Sequence, residues 1–276
     1  GVLSDFKKKY PERFFMEGVS EQAIIGMAAG LAMEGFKPYV NTIATFLTRR
    51  CFEQISIDIC LHNLNVTLLG NGGGLVYAHL GPTHIATDDL SILRTLPNMK
   101  IIAPCDSIEM GHLMKQINKI NGPLYVRIAK GGDKIITKKN EKIKFGKASV
   151  KIKPKEIVFL TTGVMAQIAL KAIDKLKERN IQAGLIHFST VKPLDKSILK
   201  KWLPKVKKIV TVEENTLIGG FGSSILEFIA DFLPNDLKKI SRVGLSDKFT
   251  DRYGSQEELL KYSNISPEIL IKKALK

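Results

Sequence analysis

Short β-branched runs alternate with helix-length amphipathic stretches along almost the whole chain, and this rhythm restricts the fold more than any other feature of the sequence. Such alternation builds mostly parallel sheets covered by helices. In the first half, strands are predicted at 13–16, 39–43, at "VTLLG", "KIIAP" and "LYVRI". Helices are predicted at 20–33, 46–61, 88–96 and 108–120, with a long Gly-rich loop over 71–87. A polar, Gly- and Lys-rich passage at 130–147 then reads as a linker. The rhythm resumes with strands "EIVFLTTG", "QAGLIHF", "KKIVTVEEN" and "ISRVGL", and with helices at 165–179 and in "GGFGSSILEFIADFL". The 165–179 helix places Ile168, Ala172 and Leu176 on one face. The predicted fold class is therefore α/β, with two consecutive domains, each a mostly parallel sheet flanked by helices, over 1–135 and 145–276.

Composition narrows the function. The longest small and apolar run, "AIIGMAAGLAM", falls short of the ~18 residues of a bilayer span, and no charged-then-apolar leader opens the chain. Cys51, Cys60 and Cys105 are odd in number and widely spaced, which argues against a disulfide frame or zinc site and for a reducing, cytoplasmic compartment. The net charge of +15 invites a nucleic-acid reading, but 34 of the 42 basic residues are Lys and only 8 are Arg. The densest Lys stretch, "TKKNEKIKFGKASVKIKPKE", carries Ile, Phe and Val between its charges rather than stacking aromatics, and reads as a solvated connector and an edge strand. Neither nucleic acid nor membrane is an expected partner.

Three places carry chemistry. In "MEGVSEQAIIGMAAGLAMEG", Ser20 stands at a plausible N-cap and Glu21 in the first turn of a helix. A hydroxyl cap and an acid favoured by the macrodipole account for both as ordinary helix chemistry. Gly26, Ala29 and Gly30 are small residues at three- and four-residue spacing, and Gly within a helix costs ~1 kcal/mol against Ala. That pattern suits a helix approached closely by another backbone or a ligand. The segment "GNGGGLVYAHLGPTH" is long for a loop in a compact domain; its three consecutive Gly residues suit an anion nest, and it holds His79 and His84. "GGFGS" at 219–223 opens a helix and suits either a phosphate or tight packing against a sheet.

The blocks "GVSEQ", "TIATFLTRRCFEQ", "GPTH", "LRTLPNMKIIAPCD", "GPLYVRIAK" and "VEENTLIGGFGS" follow one another in the order seen in the C-terminal half of transketolase-like, thiamine diphosphate-dependent enzymes. The chain resembles that family over nearly its whole length, most of all the C-terminal subunit of split, two-chain transketolases. The resemblance implies a pyrimidine-binding domain followed by a transketolase C-terminal domain. It gives Glu21 the role of the glutamate that hydrogen-bonds a ring nitrogen of the cofactor's aminopyrimidine and favours its imino tautomer. It makes Phe46 the aromatic stacked on that ring, Ile43 an apolar neighbour of it, and Arg49 a second group flanking it. His84 matches the "G-P-T-H" histidine beside the substrate carbonyl and hydroxyls, and Lys130 falls where relatives place an Arg against the sugar phosphate.

The sequence departs from the family pattern at several points. Gly72 stands where a second histidine is usual, twelve residues before His84, and Leu80 replaces an Asp that contacts a sugar hydroxyl. His79 is the natural new candidate for substrate contact. The diphosphate signature G-D-G…N-N is absent, so Mg2+ and the diphosphate end of the cofactor are expected on an N-terminal partner chain or segment, in a homo- or hetero-oligomer. The family's first pyrimidine-domain strand would precede Gly1, so the protein is expected to extend upstream. The resemblance implies transfer of a two-carbon ketol unit between sugar phosphates. Two alternatives stand beside it: a β subunit of a 2-oxo acid dehydrogenase or a deoxyxylulose-phosphate synthase-like enzyme, and a non-catalytic assembly subunit with the same fold.

Overall fold

Ten strands form two five-stranded sheets in a computed structural model that describes residues 3–276; Gly1 and the expected strand before it lie outside the described residues. The first sheet takes β1 (Tyr39–Ile43), β2 (Thr67–Asn71), β3 (Lys100–Ile102) and β4 (Leu124–Ile128), all parallel, in the order β1-β2-β4-β3. The second takes β5 (Ser149–Ile152), β6 (Ile157–Thr161), β7 (Ala183–His187), β9 (Lys208–Thr216) and β10 (Ile240–Leu245), in the order β10-β9-β6-β7-β5. Only β5 is antiparallel there; it is the edge strand expected in the Lys-rich stretch. Strands β6 and β7 are buried at every position, which is why they read as unbroken apolar runs rather than alternating ones.

The helices that cover the first sheet are α2 (Glu21–Met33), α3 (46–61), α4 (Asp89–Arg94) and α5 (Ser107–Ile117), after a short α1 (Ser4–Lys9). Residues 46–61, here α3, are not one regular helix. Wide π turns at Phe46–Arg50 and Ile55–Leu61 flank a single α turn at Phe52–Gln54. The strand expected at 13–16 is absent. Pro11–Arg13 is a 3-10 turn, and Phe15 and Met16 are 55% and 74% exposed with no strand beside them to pair. In the second unit α6 (Met165–Glu178), α7 (Lys196–Trp202), α8 (Phe221–Phe232), α9 (Gln256–Tyr262) and α10 (Pro267–Ala274) cover the sheet, and a Ser255–Glu258 capping box starts α9. The sequence reading did not find α7, α9 or α10.

The two units are fastened together. After β7 the chain crosses to the first sheet, where β8 (Thr190–Lys192) pairs antiparallel with β3 and places Val191 in the first unit's core. Arg94 grips Glu227 of α8 with two hydrogen bonds of 2.7 Å. The 130–147 passage has no regular element, yet it is pinned. Asp106 accepts the N–H groups of Ile136 and Thr137 at 2.9 and 2.7 Å, and Gln116 bonds the backbone of Ile143 and Phe145.

Candidate functional site

The register of the first sheet aligns Ile43, Asn71 and Ile128 across β1, β2 and β4. Their carboxyl ends share one edge, the edge at which open α/β sheets hold ligands. The Gly-rich loop leaves β2 there, and Lys130 follows β4.

Glu21 opens α2 at this edge. Its neighbour Ser20 occupies the N-cap position, but its hydroxyl caps nothing and is buried without a partner. Glu21 is only 7% exposed, and its Oε2 accepts a 2.6 Å hydrogen bond from Nη1 of Arg50. The same guanidinium lies over the ring of Phe46, with Cζ 4.8 Å from the centroid. His84 meets Phe46 edge-on from another side, at 5.2 Å between ring centres. Glu21, Arg50, Phe46 and His84 thus form one continuous row. Phe46 and Arg50 are four residues apart in a π turn, so both point to one side of α3.

The other sequence-predicted residues are distributed around this row. Ile43 is half-buried at the end of β1. Arg49 turns away to Asp88, held by hydrogen bonds of 2.9 and 3.0 Å from Nε, and reaches Thr87 at 3.4 Å. The arginine that flanks the Phe46 ring is Arg50, which the sequence reading missed. No sequence signal distinguishes it from Arg49, because the π turn over Phe46–Arg50 sets which arginine faces the ring. His84 shares a 2.9 Å hydrogen bond between Nδ1 and the Thr83 hydroxyl. His79 and Leu80 are exposed on the loop, His79 with its ring edge-on to Tyr77. Lys130 is exposed, and no ion pair engages it among the described residues.

Neither glycine cluster is open to an anion. A Cβ at Gly72 would overlap the Tyr77 ring, one at Gly73 the Arg127 side chain, and one at Gly74 the Glu214 carboxylate. The loop glycines therefore make room for protein side chains. Behind them lies a buried polar network. Asp89 accepts from the Tyr125 hydroxyl at 2.7 Å and from Arg127 at 2.9 Å, and Arg127 also reaches the carbonyls of Ala86 and Glu214. Glu214 accepts from Leu75 N–H and Gln256. At "GGFGS" the acceptor on the helix N-terminus is the chain's own: Glu213 accepts the N–H groups of Phe221 and Gly222 at 2.6 and 2.7 Å. Burial pushes this carboxyl up to about 7, against those two N–H groups, which pull it down.

The three cysteines are free and buried. Cys105, Glu109 and His187 gather their ligand-type atoms within 4.8 Å of one another at the seam between the units, the one such group among the described residues. Glu109 accepts from Cys105 N–H at 2.8 Å and shares a 3.0 Å hydrogen bond with His187, whose other nitrogen meets Thr161. Burial and the nearby Glu109 carboxylate push the Cys105 thiol far up, so it is held protonated, and the group serves as a hydrogen-bonded clamp between units.

Comparison with known proteins agrees with the geometry. The family descriptions "Transketolase, pyrimidine binding domain" and "Transketolase, C-terminal domain" match residues 1–132 and 146–269. A putative transketolase C-terminal section from Methanocaldococcus jannaschii is 35% identical over 98% of this chain and 84% of its own length. A 1-deoxy-D-xylulose-5-phosphate synthase from Clostridium perfringens is 37% identical over 96% of this chain, which spans 42% of that enzyme. A solved split-gene transketolase, described as an inactive beta4 tetramer, superposes with a TM-score of 0.90 at 30% identity, over 99% of this chain and 87% of that one. The fold extends to a transketolase from Campylobacter jejuni subsp. jejuni, with a TM-score of 0.74 at 16% identity.

Proposed function

Because the chain belongs to the transketolase family, we propose that it supplies the aminopyrimidine-binding half of a thiamine diphosphate-dependent transferase. With an N-terminal diphosphate-binding chain or segment, it would transfer a two-carbon ketol unit between sugar phosphates. The observation that carries this reading is the row Glu21–Arg50–Phe46. A flat group bearing N–H donors sits against an aromatic face while bonding a buried carboxylate, so the slot fits an aminopyrimidine in shape and hydrogen bonding.

Thiamine diphosphate, when bound, supplies the carbanion chemistry at its thiazolium carbon. The chain's own residues bind the ring and govern one proton. Phe46 gives the ring a face and Ile43 an apolar edge. Glu21, removed from water, would accept a hydrogen bond from a ring N–H and so favour the ring form that carries that proton. His84, packed against Phe46, faces the substrate carbonyl and hydroxyls. Lys130 holds a sugar phosphate as a point charge, without the two-pronged grip of Arg. His79 stands beside Leu80, on the loop where the family's usual sugar-contacting Asp is missing.

Partner dependence rests on two features. The chain carries no diphosphate signature, and the reading assigns the Mg2+ site to the other half. One face of α2 is open: a Cβ at Gly26 or Gly30 would meet nothing, and Met33 at its end and the flanking Val19 and Phe36 are 57%, 88% and 58% exposed. That surface suits a subunit contact. The related split-gene transketolase is itself an oligomer, and the Methanocaldococcus relative is a C-terminal section. Free, buried cysteines fit a reducing, cytoplasmic setting. No helix among the described residues is long and apolar enough to cross a membrane.

A second reading, synthesis of a deoxyxylulose phosphate with decarboxylation of pyruvate, is favoured by the several relatives named 1-deoxy-D-xylulose-5-phosphate synthase. The assembled enzyme decides between them. Ketose cleavage without release of carbon dioxide supports ketol transfer. Carbon dioxide released from pyruvate supports the second reading. Full activity of a Glu21→Gln enzyme would contradict both.

A further inference from the structure

We propose that Arg50 competes with the cofactor's ring for its slot and must leave that slot for the cofactor to load. The proposal rests on the reading of Glu21 and Phe46 given above. The guanidinium makes the same two contacts that reading assigns to the ring: a hydrogen bond to the Glu21 carboxylate at 2.6 Å and a position over Phe46 at 4.8 Å. Two flat groups cannot share one ring face and one carboxylate oxygen.

Burial explains why the slot is filled. Glu21 is 7% exposed, and a carboxylate so far from water is strongly disfavoured unless a donor faces it. Arg50 is that donor. Its own side chain is 42% exposed, so it stands at the mouth of the site and can swing into water with its charge solvated. The hand-over is therefore asymmetric: Glu21 stays and exchanges one donor for another, while Arg50 moves. The motion is confined to the side chain, because Gln22 from α2 donates to the Arg50 carbonyl at 3.2 Å and ties its backbone in place. The adjacent Arg49 cannot take over, since its guanidinium is held by Asp88 and Thr87. Arg50 thus satisfies and positions the carboxylate before loading, and it competes with the ring for it.

The test is calorimetric binding of thiamine diphosphate with magnesium to the assembly purified from its own cells and stripped of cofactor. Arg50→Met keeps most of the apolar stem and removes the competing cation. It should bind the cofactor at least about fivefold tighter than the wild type, with Arg50→Lys between the two. Weaker or unchanged binding by Arg50→Met would overturn the proposal. A second measurement needs no variant: in a structure of the wild-type assembly loaded with cofactor, Arg50 should have left Phe46 and Glu21. A loaded site with the Arg50–Glu21 pair intact would overturn the competition while leaving the assignment of Glu21 and Phe46 standing. A wild-type assembly that takes up no thiamine diphosphate at any magnesium concentration overturns that assignment itself, and the proposal with it.

Discussion

At the scale of single residues, chemistry and packing separate cleanly. Glu21, Phe46 and His84 stand in a row that the motif order pointed to, because each holds a fixed place in a recognisable block. Arg50 was not legible. Two consecutive arginines look alike in a sequence, and which of them faces Phe46 is set by the phase of a π turn. If Glu21 controls the ring proton, Glu21→Gln should lower turnover of the assembled enzyme by about 100-fold or more while leaving its melting temperature within a few degrees. Gly72 gives a different kind of prediction. It adopts φ +73°, and Tyr77 fills the space a side chain would need. Gly72→His, which restores the histidine usual in the family, should therefore destabilise the fold by about 1–3 kcal/mol and fail to raise activity; thermal melting and steady-state rates check both parts.

Glu213 makes stability depend on pH. Burial raises its carboxyl from 4.5 to about 7, so the folded state holds a proton that the unfolded chain has already released. That contribution is complete below 4.5 and is lost as pH rises through 7. Melting temperature should fall across this window, and Glu213→Gln, neutral throughout, should flatten the fall. An equally steep fall in the variant would contradict the assignment.

At the scale of elements, the long regular pieces were readable and the pieces defined by their neighbours were not. Helix α6 and the buried strands β6 and β7 follow from periodicity and apolar runs. The apolar run at 13–16 misled, because a strand exists only where another strand pairs with it. Strand β8 was invisible for the converse reason: three residues become a strand by meeting the β3 edge. That crossing has a consequence for folding. Val191 is 1% exposed within the first unit's core, although it lies in the second half of the chain. Val191→Ala should cost about 2 kcal/mol and lower one shared transition, with both units unfolding together in calorimetry. Residues 1–132 expressed alone should not fold cooperatively, since they lack β8 and leave Arg127 without the Glu214 carbonyl.

At the scale of the whole molecule, the rhythm of strands and helices announced two α/β sheets, while the fastening between them came from pairs that no periodicity or motif spacing links: Arg94 with Glu227, Glu109 with His187, and Arg127 with Glu214. These contacts hold the carboxyl edge of the first sheet in a fixed frame. The open face of α2 lies on the same half of the chain as Glu21. On the proposed function, this half holds the ring end of the cofactor and depends on another half for the diphosphate end. Native mass spectrometry of the protein from its own cells, with thiamine diphosphate and magnesium present, tests it most directly. The account predicts an assembly in which every copy of this sequence is matched by a G-D-G…N-N half, in a second chain or upstream in the same one, and by one bound thiamine diphosphate. A chain of these residues that binds thiamine diphosphate and magnesium in full without such a half, or an intact assembly that never takes up the cofactor, would contradict it.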